Sequence, residues 1–220
     1  MDDKKDEKTI AKELDQDIIR EVGNILSNHS ATAFSKMIQE NINISTDVEL
    51  VSVKDFTMEL ILTDEISEIF SEMKKRYISG YFLKTTAGVE GISLLLFNED
   101  HIEKLVNTVA DKMGNATQDE EERKEILKEF SSIAMNAYLS ALSNLIDAKI
   151  QASTPIPATD ILGSIYDFKE HLKEGDKNEA LMIKTDIVAK ETGITGKLTI
   201  LLEPESYEKI LNLLRKKSGY

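Results

Sequence analysis

A long internal repeat constrains the fold of this chain more than any other feature of its sequence. GISLLLFNEDHIEKLVN begins at Gly91 and GKLTILLEPESYEKILN begins at Gly196, a spacing of 105 residues. Upstream, EVGNILSNHSATAFSKM at 21–37 matches EFSSIAMNAYLSALSNL at 129–145, a spacing of 108 residues. Such a period is too long for a solenoid repeat. The pattern predicts an ancient duplication, with two copies packed about a pseudo-two-fold axis and a small deletion between the matched stretches.

Each copy predicts the same order of elements, which is a long helix, then strands, then a closing helix. Amphipathic periodicity predicts the long helices at about 10–39 and 119–147 and the closing helices at 98–112 and 204–217. Apolar or alternating runs predict strands at 48–53, 57–62, 77–84 and 89–97, and in the second copy at 150–153, 180–190 and 195–202. Short links between neighbouring strands indicate antiparallel pairing. The sequence thus predicts one α+β domain over 1–220, made of repeats at about 1–113 and 114–220, with two long surface helices.

Composition excludes several classes of function. The chain has 220 residues, a net charge of −13 and no cysteine, so disulfides and thiol catalysis are excluded. The negative charge argues against nucleic acid and anionic membranes as partners, because both require a basic surface. The charged start MDDKKDEKTIAKEL lacks an apolar signal core, and the longest apolar run, 93–97, is too short to span a bilayer. No histidine pair has metal-ligand spacing. We therefore expect a soluble cytoplasmic protein without a membrane insertion or a metal site.

The first helix carries a uniform polar face. Asp17, Glu21, Asn24 and Asn28 fall within about 60° of one another at about 100° per residue. This face contains only carboxylates and amides, with no Lys or Arg at the i+4 positions to pair with them. The apolar stripe of the same helix is predicted to consist of Leu14, Ile18, Val22, Ile25, Leu26, Ala33 and Met37. His29 falls on that stripe, so it is predicted to be a packed core histidine rather than a catalytic base.

Several residues of this helix have a structural interpretation beside the functional one. Taken alone, a Glu21 and an Asn24 on a polar helix face are most often a solvated surface. Asp17 can serve as a helix-entry carboxylate favoured by the helix dipole. Gly23 lies in mid-helix, where glycine costs up to about 1 kcal/mol relative to alanine. Either close helix packing or the close approach of a partner would explain its presence.

The runs DIIREVGNILSNHSATAFSKM and EFSSIAMNAYLSALSNL resemble the CheC family of chemotaxis phosphatases, which includes CheC, CheX and the flagellar switch protein FliY. The family signature on a long helix is Asp or Ser, three residues, Glu, two residues and Asn. In this sequence it is Asp17, Glu21 and Asn24, and the resemblance extends over the whole chain, including the duplication. A bare Glu-x-x-Asn pair occurs by chance in many helices, so the flanking residues and the duplication make the resemblance specific.

The resemblance implies dephosphorylation of the response regulator CheY, which carries a phosphoaspartate. The regulator would supply the aspartate, a lysine and Mg²⁺, so this chain would need no cofactor of its own. Asn24 would hold the attacking water in line, because a neutral amide can accept and donate hydrogen bonds without repelling an anionic phosphoryl group. Glu21 would pair with the regulator's lysine and fix the register, since a carboxylate is repelled by the phosphoryl oxygens. Asp17 would support these two catalytic residues.

The second copy departs from the family pattern. Glu129 corresponds to Glu21, but Ser132 occupies the asparagine position and Glu125 stands where the family has Asp or Ser. A serine hydroxyl is closer to the backbone than a carboxamide and should not reach the water. The sequence therefore predicts one active face and a degenerate second site at Glu129 and Ser132, which can still dock a regulator.

A further surface is predicted after the second long helix. Asp160, Ile161 and Leu162 match the Asp-apolar-apolar helix that, in CheC proteins, is associated with docking the receptor deamidase CheD. The alternative interpretation is a surface helix after a proline-rich turn. Two further functions remain open beside the phosphatase. One is a non-catalytic interaction module that binds CheD or phosphorylated CheY, and the other is a flagellar switch component, a class whose members usually carry an additional carboxy-terminal domain.

Overall fold

A computed structural model describes residues 3–52, 76–85, 88–113, 119–153, 156–157 and 179–218. Within these ranges there are four helices, α1 (Asp3–Ile38), α2 (Glu99–Met113), α3 (Glu120–Ile146) and α4 (Pro204–Ser218). The strands in the same ranges are β1 (Ile42–Ser52), β2 (Arg76–Thr85), β3 (Glu90–Asn98), β4 (Ile150–Ala152), β5 (Ile156–Pro157), β6 (Glu179–Ala189) and β7 (Thr195–Leu202). Helices packed with an antiparallel sheet confirm the predicted α+β class.

The order of strands in the sheet reflects the duplication. The strands form one antiparallel sheet in the order β1-β6-β7-β3-β2-β4, with β5 pairing to β2 beside this path. By position in the repeat, β1 corresponds to β4, β2 to β6 and β3 to β7. Exchanging the members of each pair reverses the order. A pseudo-two-fold axis between β3 and β7 produces this pattern.

The register of the central strands locates the axis. Leu94 lies opposite Thr199, and these two positions are 105 residues apart, which is the spacing of the repeat. Gly91 pairs with Leu202. The equivalent residues in the other copy are Gly196 and Phe97, and these two also pair. The axis therefore passes through the Leu94–Thr199 pair.

A third spacing relates β2 to β6. Ile42 pairs with Ala189 across β1 and β6, and Ile150 pairs with Thr85 across β4 and β2. The two pairs occupy equivalent places in the sheet. Ile150 follows Ile42 by 108 residues, and Ala189 follows Thr85 by 104 residues. The sequence comparison predicts spacings of 105 and 108 only. The segment that connects β2 to β3 is one residue shorter than the segment that connects β6 to β7, and this accounts for the additional spacing of 104.

Local conformations repeat at the same spacings. Gln39 and Asp147 follow the two long helices with left-handed φ values of 54° and 52°. The hydroxyls of Ser35 and Ser143 each donate at 2.6 Å to the carbonyl oxygen five residues further on. Both long helices therefore end in the same way, because corresponding residues satisfy corresponding backbone groups.

The two copies are also joined by equivalent hydrogen bonds. The backbone N–H of Glu90, at the start of β3, donates to the Ser206 hydroxyl in α4 at 2.7 Å. The counterpart N–H of Thr195, at the start of β7, donates to Nδ1 of His101 in α2 at 3.2 Å. Each closing helix thus holds the first residue of the other copy's central strand. This contact gives His101 a structural role.

Two strand predictions differ from the structure or lie outside it. The first strand begins at Ile42, not at 48, since 42–47 pair in register with 184–189 of β6. The segment 57–62, predicted to be a strand, lies outside the described residues. The closing helices begin at Glu99 and Pro204, within one residue of the predicted starts. The boundary between repeats at about 113 stays a prediction, because the adjacent residues 114–118 lie outside the described ranges.

Candidate functional site

The candidate site is the outer face of α1. Asp17, Glu21, Asn24 and Asn28 are all exposed, as predicted from their spacing. Glu21 and Asn24 are separated by one helical turn, and within the described residues Glu21 has no ion-pair partner. The Asn28 amide donates to the Asn24 carbonyl oxygen at 2.8 Å, so it is committed to its own helix. The two side chains free to meet a partner are therefore Glu21 and Asn24.

The opposite side of α1 is fixed against the sheet at a glycine. A Cβ on Gly23 would lie 2.6 Å from Val48 Cγ2 of β1, well inside van der Waals contact. One turn further on, the hydroxyls of Ser27 and Thr185 of β6 share a buried hydrogen bond of 2.7 Å. Close packing on the sheet thus explains Gly23 without the approach of a partner. The same packing sets the direction in which Glu21 and Asn24 project.

The α1 helix also packs against α3. The Ser30 hydroxyl donates to the Ala134 carbonyl oxygen at 3.3 Å, and the rings of Phe34 and Phe130 lie 4.8 Å apart between centroids. Phe97 of β3 contacts Phe130 with a centroid distance of 5.9 Å. The buried contacts on two sides leave the polar face of α1 directed to solvent.

The predicted apolar stripe of α1 is partly wrong. Val22 and Leu26 are buried, but Ile18, Ile25, Ala33 and Met37 are only half-buried, and the Leu14 side chain lies outside the described residues. The buried face instead consists of Ile19, Val22, Gly23, Leu26, Ser27, Ser30, Ala31, Phe34 and Ile38. It is rotated by roughly a quarter turn, because both the sheet and α3 cover the helix and small polar residues face them. His29 is exposed, so the prediction of a packed core histidine is wrong.

The polar face also contains an ion pair between residues three apart, which was missed because only neighbours four apart were considered. Arg20 donates to Asp17 at 3.1 Å, three residues earlier, and the two side chains are 63% and 73% exposed. The expectation that the face has no compensating cation is therefore wrong for Asp17. It holds for Glu21 within the described residues. Counting i+3 as well as i+4 neighbours would have found this pair.

The second face, on α3, has a similar arrangement. Glu125 pairs with Lys128 at 3.3 Å, which corresponds to the Asp17–Arg20 pair. Glu129 is exposed, whereas Ser132 is half-buried. The following Ile133 is 40% exposed, which is unusual for a large apolar side chain, and its counterpart Ile25 is half-buried. The two faces thus share their charges and differ at the amide position and in apolar exposure.

The remaining predictions concern CheD docking, metal binding and membrane insertion. Asp160, Ile161 and Leu162 lie outside the described residues, so CheD docking stays a prediction. In the described ranges, no group of three acidic or histidine side chains is placed to hold a metal ion. Among the helices of those ranges, none has the length and apolar character that crossing a membrane requires.

Comparison with known proteins agrees with this arrangement. The family model of CheC-like proteins matches residues 14–46, which include the whole polar face of α1. A curated relative, the CheY-P phosphatase CheC of Bacillus subtilis, is 25% identical over 209 residues, covering 90% of this chain and 93% of that protein. The family match thus includes Glu21 and Asn24, and the match to the curated relative covers most of the duplicated chain.

Solved structures show the same fold. The crystal structure of FliY from Thermotoga maritima superposes with a TM-score of 0.59 at 16% identity, covering 92% of this chain and 96% of that one. The FliM middle domain from H. pylori has a TM-score of 0.56 at 11% identity, with coverages of 90% and 97%. The chain thus has the duplicated α+β fold that is also found in these two flagellar proteins. Among proteins with this fold, the chain is similar in sequence to CheC-like proteins over residues 14–46 and to the curated CheC over most of its length.

Proposed function

We propose that this protein hydrolyses the phosphoaspartate of a CheY-type response regulator. The observation that carries the proposal is the exposed pair Glu21 and Asn24, one turn apart on a helix that packs against the sheet and against α3. A curated CheC that covers most of the chain is described as a CheY-P phosphatase, which supports the same reaction.

The chemistry requires little of this chain. Water attacks phosphorus, the bond from phosphorus to the aspartate oxygen breaks, and the products are the regulator's free carboxylate and inorganic phosphate. Asn24 would hold the water in line, and Glu21 would pair with a lysine of the regulator. Mg²⁺ would be bound by the regulator, so the chain would need no cofactor of its own. Positioning of one reactant by a fixed helix is then the main contribution.

The test follows phosphate loss from a purified phosphorylated regulator with and without this protein. Asn24→Ala should slow the stimulated hydrolysis by about 10²–10³-fold, because it removes the group proposed to position the water. The fold should be unchanged, since Asn24 is exposed. Glu21→Ala should act mainly through weaker docking, seen as a higher regulator concentration at half-maximal rate. Wild-type protein that leaves the phosphate lifetime unchanged would refute the proposal.

The second face supports docking without hydrolysis as a second function. Glu129 is exposed, Ile133 offers an apolar contact, and Ser132 replaces the amide. A regulator bound there would be retained and not dephosphorylated. Ile133→Asp should therefore lower the number of regulators bound per chain from two to one, measured by titration calorimetry. Stimulated hydrolysis should continue at α1. A stoichiometry of one for the wild type would exclude this docking face.

A further inference from the structure

An exposed ion pair occurs at corresponding places on both faces. Asp17–Arg20 on α1 measures 3.1 Å and Glu125–Lys128 on α3 measures 3.3 Å, and each pair comes one turn before the amide or hydroxyl position. An exposed pair of this kind stabilises a protein by only about 0–1 kcal/mol. The cation of each pair can therefore leave its carboxylate at small cost.

The place of Arg20 on the helix makes its release relevant to the candidate reaction. Arg20 precedes Asn24 by four residues, so the two side chains are neighbours on the helix surface, with Cβ atoms about 5–6 Å apart. Its side chain is 63% exposed and long enough to turn from Asp17 towards the surface in front of Asn24. Arg20 is also the only Lys or Arg between positions 15 and 35. Within this stretch of α1 it is thus the only permanent cation beside the position proposed for the water.

Charge complementarity indicates what this cation would bind. The phosphoryl group of the proposed substrate is anionic, and its charge is spread over the oxygens around phosphorus in the transition state. A guanidinium group binds two such oxygens at once in a fixed geometry, which an ammonium group cannot do. Glu21 and Asn24 cannot supply this interaction, because one is anionic and the other neutral.

We propose that Arg20 is a further catalytic residue, which exchanges Asp17 for the phosphoryl oxygens when the regulator docks. Asp17 is then a positioning residue that holds the guanidinium beside Asn24 in the free protein. This proposal rests on the proposed function, because it assigns a role within the same site.

The experiment compares Arg20→Ala, Arg20→Lys and the control Lys36→Ala, which removes one exposed positive charge from the last turn of the same helix. Single-turnover hydrolysis of the phosphorylated regulator is measured with this protein in saturating excess over the regulator. Arg20→Ala should slow it by about 10²-fold, the loss typical of one positioned donor. Arg20→Lys should recover only part of the rate, and Lys36→Ala should leave it unchanged. A wild-type rate for Arg20→Ala would overturn the inference and leave the proposed function standing.

A binding measurement separates phosphoryl recognition from general charge attraction. Titration uses the regulator with and without bound beryllofluoride, a mimic of the phosphoryl group. Arg20→Ala should weaken binding of the beryllofluoride form by about 10-fold or more and change binding of the free form little. An equal loss for both forms would overturn the inference. If the wild type fails to stimulate hydrolysis and the selective loss is still seen, the phosphoryl contact stands and the proposed reaction fails.

Discussion

Substitution of Gly23 by alanine tests how the sheet positions the candidate site. The new Cβ would lie 2.6 Å from Val48 Cγ2, whereas ordinary contact begins at 3.4 Å, so roughly 0.8 Å of movement is needed. Val48 is β-branched and has few alternative rotamers, so much of this movement must come from α1 itself. Because Gly23 lies between Glu21 and Asn24, both side chains would move with the helix.

Two effects of opposite sign set the magnitude. Alanine stabilises a helix interior by about 1 kcal/mol relative to glycine. Overpacking a filled interface costs about 1–3 kcal/mol. We therefore expect Gly23→Ala to lower the free energy of unfolding by about 0–2 kcal/mol. A displacement of a catalytic group by about 1 Å can slow a reaction by about 10²-fold. We therefore expect a large loss of hydrolysis in a variant that is still folded.

The matched control removes the obstructing methyl groups. Val48→Ala should cost about 1 kcal/mol, since Val48 is half-buried and loses two methyl groups. In the double variant the overlap disappears and the gain in helix propensity remains, so the two changes should couple favourably by about 1–3 kcal/mol. Urea denaturation of the four proteins gives the coupling energy, and phosphate release from a phosphorylated regulator gives the activity. Additive free energies would refute the reasoning, because they would show that Gly23 does not contact Val48 closely.

Further predictions concern the second face and the core. Ser132→Asn should make the second face active and raise stimulated hydrolysis up to about twofold, since Glu129 is already in place. Ser132→Ala should change the rate of hydrolysis little. If Ser132→Asn gives no rise, the second face lacks the necessary geometry. Tyr138→Phe should raise the free energy of unfolding by about 1–3 kcal/mol in urea denaturation, because the buried Tyr138 hydroxyl has no hydrogen-bond partner among the described residues. A loss of stability would contradict this reasoning. Burial raises the pKa of Tyr138, so its neutral form is favoured in the folded state. The associated stability is fully present below the unfolded pKa of about 10 and is lost as the pH rises above it, so wild-type stability should fall more steeply than that of Tyr138→Phe between about pH 9 and 11.

The sequence alone determined the duplication and the exposed face. Matching residues at fixed spacings require two copies of one plan, and the strand order of the sheet follows that symmetry. The solvent exposure of Glu21 and Asn24 was also predictable, because a run of carboxylates and amides on one side of a helix is costly to bury. The family signature depends on the same local spacing. Local chemistry and repetition were therefore sufficient for these features.

The tertiary structure decided which side of α1 is buried and how the face is charged. Hydropathy places Ile18 and Ile25 in the core, yet Ser27 and Ser30 are buried in their place. Their hydroxyls are satisfied by groups on β6 and α3 that are distant in sequence, and a burial scale for single residues cannot include such partners. Gly23 contributes to the same interface only because β1 approaches closely. The direction in which the polar face of α1 projects thus depends on small residues whose burial is decided by what packs against them.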